Sequence, residues 1–105
     1  LRVGAENVAA AEVERVVQGV PGVFETAVVA KPDEFFGEVP AAFVIAQGET
    51  GGLAERILAA CRAQLADFKV PREVIFLPEF PRSVLNKVSK KDLRARFTAE
   101  PPSRG

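Results

Sequence analysis

Two periods of apolar and polar residues divide this chain into elements. Val13, Val16, Val17 and Val20 fall at i, i+3, i+4 and i+7, with Glu12, Glu14, Arg15 and Gln18 off that stripe. The spacing predicts a helix running from Ala9, which Gly19 and Pro21-Gly22 end. Valine is a mediocre helix former, so packing of the stripe must supply most of its stability. Ahead of it, residues 1–8 (LRVGAENV) read as a turn at Gly4 and a brief extended segment. Val23 to Ala30, rich in Val, Phe and Thr, reads as a strand. KPDEFFG, residues 31–37, reads as a turn, and Val39 to Ala46 as a second strand with Pro40 at an edge or at its own beginning. Together they predict an antiparallel hairpin. Phe35 and Phe36 are unusual turn residues, and packing back on the sheet is favoured over contact with a partner.

Leu53, Ile57, Leu58, Cys61, Leu65 and Phe68 share one face of the strongest predicted helix, Leu53 to Phe68, which Pro71 should stop. Glu73 to Leu77 reads as a third strand. Strand, helix, strand favours a right-handed crossover and parallel pairing. In FPRSVLNKVSKKDLRARF (Phe80 to Phe97), the first half reads as loop and the second as helix. Ser89 and Asp92 are spaced as a capping box, and Val88 and Leu93 as a hydrophobic staple. The expected fold class is α+β: a small mixed sheet of about three strands, including the hairpin, packed with about three helices. Residues 98–105 should fray.

Composition adds one asymmetry. The chain of 105 residues is formally neutral, but residues 80–97 hold six of its fourteen Lys and Arg and a single acid, Asp92. The length fits one domain. Overall neutrality argues against a general nucleic-acid binder, and all eight aromatics are Phe, with no Tyr or Trp to stack on bases. One cysteine and no histidine exclude an intrachain disulfide and a Cys/His zinc site, and no metal site is expected. Cys61 falls on an apolar stripe and reads as a small core residue without a His to activate it. No apolar run approaches a membrane span and no signal peptide is visible, so a cytoplasmic setting is the default expectation. The first residue is Leu1, as expected of a processed form or a piece of a larger protein. No phosphate-cradling glycine motif occurs. Lys87, last charge on a loop with a stiff base, can be read as a solvated surface lysine or as a catalytic cation, and composition favours the former.

Three stretches change that balance. GAENVAAAEVERVV (Gly4 to Val17), AKPDEFFGEVPAAFVI (Ala30 to Ile45) with DFKVP (Asp67 to Pro71), and FPRSVLNKVSKKDLR (Phe80 to Arg94) follow in order. Together they resemble the small C-terminal domain of the adenylate-forming enzymes: acyl-CoA synthetases, adenylation domains of nonribosomal peptide synthetases, and luciferases. The resemblance covers residues 1–97. It implies a large N-terminal domain as partner, which binds ATP with Mg and the carboxylate. It implies a mobile lid of an ATP-dependent, AMP-forming fatty acyl–CoA ligase, acting on an acyl-adenylate with CoA as co-substrate. The family's lysine lies in a P-[RK]-[TS]-x-x-G-K pattern. Pro81, Arg82 and Ser83 match, and Lys87 falls at the lysine, implying a role in adenylation. Gly4, Ala5, Glu6 and Asn7 fall on the turn that faces CoA or pantetheine during thioester formation. Arg82, Lys90 and Lys91 are candidate anion contacts.

The chemistry suits the residue types. Carboxylate attack on the α-phosphate brings two anions together, and a lysine ammonium is a compact charge able to bridge them. A glycine lets backbone approach a thin pantetheine arm. The sequence departs from the pattern in three places. Asn86 replaces the usual Gly, Ala5 replaces a common Gly, and Ala9-Ala10 replace a polar cap and Pro, leaving the first helix weakly capped. The chain alone is expected to show no ligase activity. The alternatives are an amino-acid-activating adenylation domain that serves a carrier protein and, from another class, a stand-alone basic-helix binding module.

Overall fold

The computed structural model describes the backbone of residues 2–98 and the side chains of residues 9–97. Its elements are α1 (Arg2–Gln18), β1 (Val23–Asp33), β2 (Gly37–Ala46), α2 (Leu53–Gln64), a 3-10 turn (Asp67–Lys69), β3 (Glu73–Phe76) and α3 (Lys90–Thr98). The sheet runs β1-β2-β3, with β1 antiparallel and β3 parallel to β2. This is the mixed three-stranded α+β domain that the apolar periods predict.

Strand alternation sends side chains to opposite faces and makes two cores. Ala42 and Val44 of β2 join Val13, Val16 and Val17 of α1, Val20 just beyond it, and Leu53, Ile57 and Cys61 of α2. Phe43, between them, points the other way and meets Ala27, Val29, Phe80 and Leu93, with Phe97 of α3 packed alongside. The α1 stripe read from sequence is buried in full. Burial also pushes the Cys61 thiol above its ordinary pKa, against a smaller opposing pull from Arg62. A suppressed thiolate fits a core residue.

Several expectations need correction. Residues 2–8 are helical, not a turn and strand: α1 starts at Arg2. Ala5, Glu6, Ala9 and Ala10 are good helix formers, no Pro interrupts them, and one Gly costs only about 1 kcal/mol. Ala9-Ala10 are therefore mid-helix rather than a weak cap.

The helix α2 ends at Gln64, not Phe68. Leu65 turns extended at φ −121°, its N–H closing on the Cys61 carbonyl, and drops its side chain into the core. Leaving the helix there lets Val70 bury as well, before β3 joins the sheet. Phe68 is consequently on the 3-10 turn and 70% exposed.

The hairpin is longer than expected and its turn shorter. Lys31 to Asp33 extend β1, and Asp33 pairs with Gly37. The Asp33 carboxylate accepts the N–H groups of Phe35 and Phe36 at 2.9 Å each. That tight turn points both rings outward, 87% and 65% exposed, instead of back on the sheet.

Pro40 lies in the central strand, not at an edge, but near its beginning. The register with β3 starts one residue later, at Ala41, so the missing N–H removes no bond to β3.

Among the described residues no helix is long and apolar enough to cross a membrane, and no group of three or more Cys, Asp or Glu could hold a metal ion. Residues 99–105, expected to fray, lie outside the described residues.

Candidate functional site

Phe80 and Leu93 are buried and fix the two ends of the loop that carries Lys87. Between them the chain folds back on itself. The Ser89 N–H donates to the Pro81 carbonyl at 2.8 Å, Arg82 bridges antiparallel to Val88, and the Ser83 N–H donates to the Lys87 carbonyl at 2.8 Å. The turn closes where the Asn86 N–H reaches the Ser83 carbonyl at 2.8 Å and Ser83 Oγ accepts the Leu85 N–H. Asn86 has φ 64°, the one positive-φ residue besides glycine among the described residues. Asparagine tolerates the left-handed region better than other side-chain residues. It therefore keeps the turn where the resembled pattern has Gly.

Behind the turn the capping motif is half formed. Ser89 Oγ accepts the Asp92 N–H at 3.3 Å, as a capping box requires. The reciprocal donor, the Ser89 N–H, is instead used by Pro81. One residue thus both caps α3 and ties off the loop. Val88 packs on the Leu93 cluster, as a staple would.

At the tip Val84 is fully exposed and Leu85 is 73% exposed. Lys87, next to them, is exposed. None of the four ion pairs among the described residues includes it.

The other candidate cations differ. Arg82 Nη2 donates to Glu25 Oε1 of β1 at 2.8 Å. Lys90 Nζ meets Glu14 Oε2 of α1 at 2.6 Å, and the same oxygen accepts the Val28 N–H on the free edge of β1. Both tie the basic segment to the acidic body. Lys91 is exposed on α3. Gly4, Ala5, Glu6 and Asn7 lie in the opening turns of α1, and their side chains are outside the described residues. The basic segment that looks uniform in sequence is therefore two tethers, a set of exposed helix charges, and Lys87.

Two features escaped the sequence reading. The Arg72 guanidinium sits 5.2 Å from the Phe36 ring centroid, beside exposed Phe35. The paired Phe residues in a turn were the available signal. A groove of about 600 Å³ also runs between α1 and α3, bordered by Val13, Val28, Phe68, Lys69, Lys90 and Arg94. No periodicity announces it.

Residues 12–87 match the family described as AMP-binding enzyme C-terminal domain. The chain belongs to this family. The matched span ends on Lys87 itself.

A long-chain-fatty-acid–CoA ligase of Mycobacterium tuberculosis is 44% identical over 94% of the chain and 20% of its own length. A 4-chlorobenzoate–CoA ligase of a Pseudomonas species is 43% identical over 91% of the chain and 18% of its own. Among solved structures, a Mycobacterium tuberculosis fatty acyl CoA synthetase superposes with TM-score 0.77 at 41% identity, covering 86% of the chain and 18% of that protein. The chain thus spans about one fifth of the length of the relatives it matches.

Proposed function

We propose that residues 1–97 form the mobile C-terminal domain of an ATP-dependent, AMP-forming carboxylate–CoA ligase. In this reading Lys87 serves adenylation, and the start of α1 (Gly4 to Asn7) faces CoA during thioester formation. The observation that carries the proposal is an exposed Lys87 beside a left-handed Asn86, on a loop clamped at both ends and lying at the end of the span that matches the family. MgATP and the carboxylate are assigned to the large domain. The relatives reported above are CoA ligases, which supports free CoA over a carrier-bound pantetheine as acceptor.

Adenylation begins with carboxylate attack on the α-phosphate of ATP and ends with pyrophosphate leaving. Negative charge spreads over the phosphoryl oxygens on the way. A placed ammonium lowers that barrier by electrostatic stabilisation, with no proton transfer required of it. The lysine has three donors and can bridge a carboxylate and a phosphoryl oxygen at once. Once the adenylate exists, the cation is no longer needed, and a domain able to rotate can withdraw it and present a second face.

The test is Lys87→Ala in the full-length ligase. Adenylation, read by pyrophosphate exchange, should fall about 100-fold or more, as for removal of one transition-state-stabilising group. CoA transfer from supplied acyl-adenylate should persist. Equal loss of both half-reactions, or of neither, would refute the role.

A further inference from the structure

We infer that Glu25, on β1, is a positioning residue for Lys87, acting through Arg82; the inference rests on the reading of Lys87 above. The argument starts from a defect in β1. Ala27 and Val29 point into the core beneath α3, and Glu25, two residues earlier, shares their face. By strict alternation Val23 would follow them. It lies instead in the α1/α2 core. The register shifts between Val23 and Glu25, leaving Phe24 outside the pairing and 60% exposed. A bulge of this kind re-aims side chains. Here it lets β1 start in one core and still present a carboxylate on the opposite side, where the Lys87 loop lies.

What the carboxylate holds is the loop's own rung. Arg82 Nη2 lies 2.8 Å from Glu25 Oε1, with both side chains about one-third exposed (34% and 28%). Arg82 is also the residue bridged to Val88, the neighbour of Lys87. The loop beyond Phe80 is closed by three backbone hydrogen bonds: Ser89 to Pro81, Ser83 to Lys87 and Asn86 to Ser83. An isolated two-stranded segment of that size is marginal in water. Among the described residues, the Arg82–Glu25 pair is the side-chain hydrogen bond that ties residues 81–88 to the sheet. Removing it leaves the buried ends of the loop in place. It frees the rung that sets the direction of Lys87. A partly exposed ion pair adds little to global stability, so its loss should register in placement rather than in folding.

The test uses the full-length ligase and four proteins: wild type, Glu25→Gln, Lys87→Ala and the double variant E25Q/K87A. Glu25→Gln should lower the kcat of adenylation by about three- to tenfold, short of the roughly 100-fold that a 1 Å misplacement can cost, because the buried ends of the loop still hold it. The KM for ATP and carboxylate, CoA transfer from supplied acyl-adenylate, and the thermal midpoint should hold steady. In the Lys87→Ala background, Glu25→Gln should cost nothing further. The inference is overturned if Glu25→Gln leaves adenylation unchanged, lowers both half-reactions together, or costs as much without Lys87 as with it. A selective loss in Lys87→Ala alongside a silent Glu25→Gln sinks only the role of Glu25. No selective loss in Lys87→Ala sinks the reading of Lys87, and Glu25 with it.

Discussion

The two faces of the sheet are built differently. On one, α1 and α2 bury thirteen residues in a continuous apolar cluster. On the other, five buried residues, two of them from Phe80 and α3, hold the short helix and the Lys87 loop. The thick face carries no charged residue in its core, and only the opening turns of its α1, Gly4 to Asn7, are proposed to meet a ligand. The thin face carries the exposed lysine, the left-handed Asn86 and the ion pair to Glu25. The bulk of the core and the proposed adenylation residue are thereby separated across β2. A segment held by few buried contacts is free to be shaped by a partner domain without loosening the rest.

Truncation on each face tests that division most severely. Ile57→Ala, in the thick core at no exposure, should cost roughly 3–5 kcal/mol in denaturant unfolding. Leu93→Ala is equally inaccessible, yet should fall lower, at roughly 2–3 kcal/mol, because the small cluster around it can collapse into the space. Equal losses would mean that the thin face is as tightly packed as the thick one, and the contrast would fail.

What was legible beforehand follows the same division. The α1 stripe, the three strands and their order, and the staple were readable because apolar period is enforced wherever a face is buried. Leu65 was read correctly as a core residue but in the wrong conformation, since a residue can bury itself extended as well as helical. Phe35, Phe36 and Phe68 were misjudged because side-chain type says nothing about which way a tight turn points. Lys87 is singled out from the other lysines of the sequence only by the motif it resembles. Glu25 was not legible at all: its direction depends on a bulge, and a bulge is a property of two strands, not of one.

A smaller effect is expected at Asn86, where backbone geometry alone is at stake. Its φ of 64° suits Asn or Gly and strains a β-branched residue. Asn86→Val should cost roughly 1–3 kcal/mol, or free the loop from this shape. Asn86→Gly should change stability by no more than about a few tenths, because Gly gains backbone ease and loses chain entropy on folding. Ser89→Ala should cost about 0.5–1 kcal/mol, the low end for a cap, because only its hydroxyl bond to Asp92 is lost and the backbone bond to Pro81 remains. Unfolding curves measure each. A neutral Asn86→Val would show that the turn is not held left-handed in solution.

The smallest effect is the one that most sharply separates tip from base. Val84 is fully exposed and Leu85 is 73% exposed, although both are apolar and both are close in the chain to Lys87. Neither belongs to a core cluster, so replacing them removes no buried surface. Val84→Ser and Leu85→Ser should leave the denaturation midpoint where it is. Two apolar side chains kept in water next to a proposed catalytic cation are, however, where a second domain would gain by covering them. In the full-length ligase the same substitutions should weaken adenylation several-fold while leaving CoA transfer from supplied acyl-adenylate intact. A drop in the midpoint would place Val84 and Leu85 with the base of the loop, and would remove the distinction between the part that folds the domain and the part proposed to meet the substrate.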